Sequence, residues 1–144
     1  NFLTQPFAAK IVIILALLWR WTGYNMVFFL SGLQNIEYSV YEAAKIDGAS
    51  AIQTFFKITV PLLKPTILLT AIMSTNGTLQ LFDESINLTD GGPANASISM
   101  SHYIYNLCFK YVPNFGYAAA MSFFILLLVA VLAFIQMRVG DKRD

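Results

Sequence analysis

The stretch EAAKIDGASAIQTFFKITVP, residues 42–61, decides the fold because it is polar and alanine-rich and lies between two strongly apolar segments. Glu42 to Lys45 favours helix by propensity, and Gly48 stands where a helix commonly ends in the left-handed conformation. Residues 49–59 predict a second short helix, with apolar side chains at helical spacing and Pro61 following. Two short helices joined at a glycine, on a membrane protein, indicate a docking surface for another protein.

The composition is that of a membrane protein. Of 144 residues, 57% are hydrophobic and 12% are charged, which is outside the range of soluble domains. A net charge of +1 leaves no basic face for phosphates, so no nucleic-acid partner is expected. The single cysteine, Cys108, permits no internal disulfide and no cysteine metal cluster. The chain begins at Asn1 without an initiator Met or a signal-peptide pattern, and we expect it to be part of a longer protein.

Apolar runs predict three membrane spans, at about residues 8–33, 65–82 and 116–137. At about 1.5 Å per residue the first would reach about 39 Å, more than the roughly 30 Å of the hydrocarbon core. It is therefore expected to tilt, bend or protrude, with Thr22-Gly23 as the weak point.

The connections carry further helices. Residues 34–64 form the loop with the two short helices, and residues 83–115 form the other loop, in which residues 98–109 have the amphipathic spacing of a surface helix. We predict an all-α fold, a polytopic membrane helix bundle in which the surface helix is extracytoplasmic.

Basic residues predict the orientation, because cytoplasmic loops are enriched in Lys and Arg. With the first loop and the C-terminus inside, the inner basic residues are Lys45, Lys57, Lys64, Arg138, Lys142 and Arg143. Only Lys10 and Lys110 are then outside. The two short helices are thus expected in the cytoplasm.

Three motifs carry a family resemblance. Glu42-Ala43-Ala44, with Gly48 four residues later and Ile58-Thr59-Val60-Pro61 at the end, resembles the EAA loop of permease subunits of binding-protein-dependent ABC importers. LTDGGP (residues 88–93) resembles the LTxGGP segment of the carbohydrate-type subgroup, and FGYAAA (residues 115–120) resembles the entry to its last helix. Val60 replaces the usual leucine, and Glu37 stands where the family commonly has a proline.

The resemblance implies the C-terminal part of a permease subunit that carries a sugar or related solute, of the maltose, glycerol-3-phosphate and multiple-sugar type. It implies a bacterial inner membrane, a second permease subunit, two ATP-binding subunits and an extracytoplasmic solute-binding protein. The sequence contains no P-loop, Ser/His/Asp set or metal-ligand cluster, so we predict no catalytic or metal residue in this chain. ATP and Mg are expected on the partner ATPase subunits.

The resemblance also implies an ATPase-subunit coupling surface, made of Glu42, Ala43, Ala44, Asp47, Gly48, Ala49, Ile58 and Pro61. Small alanines allow close approach, and Glu42 offers a carboxylate to a partner arginine. Asp47 is expected to cap or brace the turn, and Gly48 to adopt positive φ. The alternative is an interfacial loop that is alanine-rich by chance.

The candidate substrate pathway comprises Arg20, Trp21 and Tyr24 near the middle of the first span and Ser74 and Thr78 in the polar half of the second. Intramembrane charge is a functional hypothesis, and aromatic faces with hydrogen-bonding groups suit sugars. By resemblance to maltose-type importers these segments hold the substrate: Tyr24 and Ser74 match that site, whereas Trp21 and Thr78 differ in residue type. The alternative is a helix-packing set with Arg20 satisfied by backbone carbonyls.

The other polar residues of the outer loop give weaker signals. Asp83 and Glu84 are expected to form a solvated helix terminus, with a role at the pathway mouth as the alternative. Residues 91–93 predict a turn that by resemblance lies near the binding protein's docking surface. His102 and Cys108 receive no role. An exporter or channel remains the alternative function, although neither would need an EAA loop at this spacing.

Overall fold

The computed structural model describes residues 5–140, and every regular element in that range is helical. The helices are α1 (Pro6–Gln34), α2 (Tyr38–Ile46), α3 (Ala51–Leu62), α4 (Lys64–Leu79), α5 (Met100–Tyr105) and α6 (Phe115–Gly140). Wider π-helical turns occupy Phe55–Thr59 within α3, Ser85–Thr89 after α4, and Asn106–Lys110 directly after α5. The predicted all-α architecture is confirmed.

Helix α1 is one unbroken helix of 29 residues. It begins at Pro6, where the fixed φ and missing N–H of proline are tolerated. The helix is not interrupted at Thr22-Gly23, the predicted weak point. A lone glycine lowers helix propensity by about 1 kcal/mol, which the long apolar helix on either side tolerates.

The number of spans depends on how α3 and α4 are counted. Helices α1 and α6 are each long and apolar enough to cross a bilayer. Helix α4 has only 16 residues and ends three residues before the predicted limit of the second span. It is long enough to count as a membrane span only together with α3. The two helices meet at Leu63, where the chain bends by 64°. The three-span arrangement therefore stays a prediction, while the membrane class is supported by both long helices.

Close approaches at glycines hold the long helices together. A Cβ at Gly32 of α1 would lie 2.8 Å from Thr66 Oγ1 and 2.9 Å from Leu63 Cδ2. A Cβ at Gly140 of α6 would lie 2.5 Å from Leu68 Cδ1 in α4. Small residues at helix crossings let backbones approach, which is how helices associate where water provides no driving force. Helix α4 is thus packed between α1 and α6.

Little of the apolar surface is buried within this chain. Only 6% of the apolar stretch of α1 and 11% of that of α6 are buried. Trp19 and Phe123, for example, are exposed by 83% and 68%. Exposed apolar surface of this extent requires lipid or other protein against it.

Candidate coupling surface and substrate pathway

The link between α2 and α3 is built around a glycine. The Gly48 N–H donates to Lys45 O at 3.1 Å, and the Ala49 N–H donates to Ala44 O at 2.9 Å. Gly48 has φ +75°, the left-handed conformation that its position in the sequence predicts. No atom lies within 4 Å of where its Cβ would be, so glycine is needed for the backbone angle and not for space.

A capping box fixes the start of the second helix. The Gln53 N–H donates to Ser50 Oγ at 3.3 Å, and the Ser50 N–H donates to Gln53 Oε1 at 2.9 Å. Helix α3 consequently begins at Ala51, two residues later than predicted. Asp47 caps the end of α2, where its backbone N–H donates to Ala43 O at 3.0 Å. Within residues 5–140 its carboxylate accepts no hydrogen bond, so this contact is made by the backbone and not by the side chain.

Helix α3 also extends beyond its predicted end. In the π-helical turn the Val60 N–H bonds to Phe55 O, and the helix then continues through Pro61 to Leu62. A wider turn accommodates a proline, whose ring would clash with the carbonyl four residues earlier in a regular α-helix. The hydroxyl groups of Tyr41 and Thr59 are 3.3 Å apart and link α2 to this turn.

The predicted coupling residues do not all face outward. Ala44 is buried, with 5% exposure, and so packs inside the two-helix unit. Ala49 and Ile58 are half-buried, and the exposed members are Glu42, Ala43, Asp47, Gly48 and Pro61.

Large apolar side chains that were not among the predicted coupling residues are also exposed on this unit. Ile46 and Ile52 are exposed by 86% and 73%. Phe55 and Phe56 are also exposed and contact each other edge to face. Together with the five exposed predicted residues, these four side chains form what we call the knuckle surface. The signal that could have found Ile46 is a large apolar residue directly before the helix end.

Three of the predicted pathway residues meet between α1 and α4. Trp21, Ser74 and Thr78 line a cavity of about 450 Å³. Asn25 also lines it and donates from Nδ2 to Ser74 Oγ at 3.0 Å. Asn25 was not predicted, although it lies one helical turn after Trp21. This cavity combines an indole, an amide and three hydroxyl groups, the third from Thr22, which suits a polyhydroxylated molecule.

The other two predicted residues lie elsewhere on α1. Arg20 and Tyr24 line a neighbouring hollow of about 820 Å³, which shares Leu18 and Thr22 with the cavity. The two sites are connected by ring contacts, because Trp21 packs edge-on against Tyr24 at 5.5 Å between centroids. Phe28 continues this row at 5.1 Å from Tyr24, and its spacing of four residues was a signal that the prediction did not use.

Arg20 is paired with a carboxylate. Its Nη1 donates to Glu84 Oε1 at 2.6 Å, and its guanidinium lies 5.6 Å from the centre of the Trp21 ring. Glu84 is buried, with 8% exposure, so the predicted solvated terminus is wrong for this residue. Since α4 is about half as long as α1, the chain that follows it runs beside the middle of α1, and this brings Glu84 to Arg20.

The outer loop encloses a buried histidine. His102 is fully buried, and its Nδ1 lies 2.8 Å from Ser85 Oγ. Ser85 donates its proton to Ser97 O at 2.8 Å, so the neutral imidazole donates from Nδ1. Burial lowers the pKa of His102, with Asp90 acting to raise it and Lys110 to lower it. Both His102 and Ser85 are inaccessible, which makes them a scaffold for the loop.

The turn predicted at residues 91–93 is present next to this histidine. Asp90 and Gly91 have φ of 46° and 77°, and Ala94 and Asn95 also have positive φ. Asp90 lies 3.7 Å from His102 Nε2 and 3.0 Å from Lys110 Nζ. Within the described part of the chain, no group of His, Cys, Asp and Glu could hold a metal ion.

Residues 1–143 match the family described as binding-protein-dependent transport system inner membrane component. The chain belongs to this family. As a member, it is 56% identical over 145 residues to the lactose transport system permease protein LacF of Rhizobium radiobacter, which covers 99% of this chain and 49% of the relative. It is 36% identical to the trehalose/maltose transport system permease protein MalF of Thermococcus litoralis, and the match covers 99% of this chain and 48% of that relative.

A solved structure supports the family fold. A chain of a bacterial ABC transporter involved in the import of the acidic polysaccharide alginate superposes with a TM-score of 0.81 at 26% identity. The match covers 96% of this chain and 49% of that one. The chain spans 46–49% of the length of the sugar permeases LacF, MsmF and MalF that it matches, about half of each.

Proposed function

We propose that this chain is the part of a sugar-importer permease that joins the ATPase subunits to the translocation pathway. The observation that carries the proposal is the direct connection of α3 to α4. The knuckle surface lies on α2 and α3, and only the buried Leu63 separates α3 from α4, which lines the cavity. A force on the knuckle surface therefore reaches Ser74 and Thr78 through one helical segment.

The two helices that carry the knuckle surface, α2 and α3, are suited to act as a rigid lever. The Tyr41–Thr59 contact and the buried Ala44 link α2 to α3, and the capping box fixes the start of α3. Its exposed isoleucines and phenylalanines are costly in water and become favourable when a partner covers them. We propose that closure of two ATP-binding subunits moves this lever and switches access to the pathway, which requires only that the ligands bind the two states differently.

The assembly follows from the family. We propose a second permease subunit, two ATP-binding subunits that hold ATP and Mg, and an extracytoplasmic solute-binding protein. The proposed location is the bacterial inner membrane. The distribution of Lys and Arg favours a cytoplasmic position for the knuckle surface and the C-terminus. The sugar permeases among the relatives support a sugar or related solute as the cargo.

Cysteine cross-linking in the full-length transporter tests the proposal. With Cys108→Ser as background, Ile46→Cys should form a disulfide with a cysteine in the cleft of an ATP-binding subunit, in a nucleotide-dependent manner. Ala44→Cys is a matched control, because Ala44 is two residues away and buried. Val112→Cys is a second control, because it is exposed by 89% in the outer loop. Equal cross-linking from Ile46 and Val112, or none from Ile46 in an intact assembly, would contradict the proposal.

A further inference from the structure

We propose that Glu84 is a positioning residue that neutralises Arg20 and thereby makes the pathway selective for uncharged sugars over carboxylated ones. This inference rests on the proposed function and names the substrate class of the same pathway. Arg20 comes from α1, and Glu84 from the segment between α4 and the π-helical turn Ser85–Thr89. The pair is therefore made between parts of the chain that are 64 residues apart.

The geometry of the pair leaves the arginine available to a ligand. The Glu84 side chain is 10% exposed, whereas that of Arg20 is 48% exposed and borders the 820 Å³ hollow. Within residues 5–140 the guanidinium makes one hydrogen bond, from Nη1 to Oε1. A guanidinium has several more N–H donors, and these are free to bind hydroxyl oxygens.

The Glu84 carboxylate is the buried member of the pair. Glu84 Oε2 is buried and accepts no hydrogen bond from the described residues. A buried carboxylate in this position is stable only as long as a cation faces it, and the cation here is Arg20. Glu84 thus holds the Arg20 guanidinium in place and neutralises its charge. The hollow is then lined by the N–H donors of Arg20 and the rings of Tyr24 and Trp19, and the ion pair brings no net charge to it.

Charge neutrality has a direct consequence for selection. Without Glu84, Arg20 would be an unpaired cation in a largely apolar hollow, where a carboxylate is its natural partner. A carboxylated sugar would then bind in place of the missing side chain. With Glu84 present, the same sugar would bring a second carboxylate to an arginine that is already neutralised, so uncharged sugars are favoured.

The full-length permease in its natural assembly, placed in lipid nanodiscs without the binding protein, allows a direct test. Saturation-transfer NMR would measure the affinity for lactose and for digalacturonate, an uncharged and a carboxylated disaccharide. In Glu84→Gln we expect digalacturonate affinity to rise about tenfold, the size of a charge-assisted hydrogen bond, and lactose affinity to change much less. Asp83→Asn is the matched control, since it removes the same charge from the exposed neighbouring residue. It should leave both affinities unchanged.

Other outcomes separate the two proposals. Unchanged selectivity in Glu84→Gln, with lactose still bound by the wild type, would overturn the inference alone and make the pair a packing element. Absence of both sugar binding and sugar uptake in the wild type would overturn the proposed function. If Glu84→Gln does not assemble, the doubly neutral Arg20→Gln/Glu84→Gln variant takes its place. It should lose lactose affinity without gaining digalacturonate affinity, and unchanged lactose affinity would contradict the inference.

Discussion

The indole ring of Trp21 lies against the backbone of Gly77, where α1 and α4 pack together. A Cβ at residue 77 would overlap the ring at Cζ2 and Cη2. The same indole forms one wall of the 450 Å³ cavity and contacts Tyr24 of the neighbouring hollow. This contact therefore sets both the distance between the helices and the position of the ring that lines the cavity and touches Tyr24.

The first prediction concerns Gly77. Gly77→Ala should destabilise the assembled permease by about 1–3 kcal/mol, because the added methyl group overpacks the Trp21 contact. Gly23→Ala is the control, since it is also a glycine within a long helix but has nothing within 4 Å of its Cβ position. It should be neutral or stabilise by up to about 1 kcal/mol. Thermal unfolding in detergent measures both, and equal effects would contradict the proposed packing.

The second prediction concerns Gly48. Gly48→Ala should cost about 1–2 kcal/mol, because φ +75° is unfavourable for a residue with a Cβ. The cost should appear as weaker stimulation of ATP hydrolysis by the loaded binding protein, since the relative orientation of α2 and α3 changes. Gly48→Asn should retain more activity, because asparagine tolerates this conformation better. Gly116→Ala, at a glycine without positive φ, should have no effect; a defect there equal to that of Gly48→Ala would refute the backbone argument.

Local features were predictable from the sequence, and long-range pairings were not. Gly48 and the helix before it follow from propensity and spacing within a few residues, so the prediction agrees with the structure. The pairing of Arg20 with Glu84 depends on where α4 ends and how the chain turns back, which no local pattern records. For the same reason the residues that line the cavity were only partly predicted. Trp21 and Ser74 line it together, whereas Tyr24 lines the 820 Å³ hollow.

The third prediction concerns the capping box. Ser50→Ala should destabilise the start of α3 by about 1 kcal/mol, because the Gln53 N–H loses its acceptor. Ser50→Asp should keep stability, since its carboxylate accepts the same hydrogen bond. Hydrogen exchange of the amides at the start of α3 in the full-length transporter provides the measurement. Protection of these amides that is unchanged in Ser50→Ala would show that the cap contributes nothing.

The last prediction concerns pH. Burial lowers the pKa of His102, so the unfolded chain takes up a proton at about pH 6.5 while the folded loop still excludes it. The stabilisation that the neutral, buried His102 provides is therefore complete above pH 6.5 and is lost as pH falls toward the lowered pKa.

The midpoint of thermal unfolding should therefore decline more steeply between pH 7.5 and 5 in the wild type than in His102→Gln. Lys110→Gln should make the decline shallower, because Lys110 lowers the pKa, and Asp90→Asn should make it steeper, because Asp90 raises it. Parallel pH profiles for the wild type and His102→Gln would exclude His102 as the group responsible.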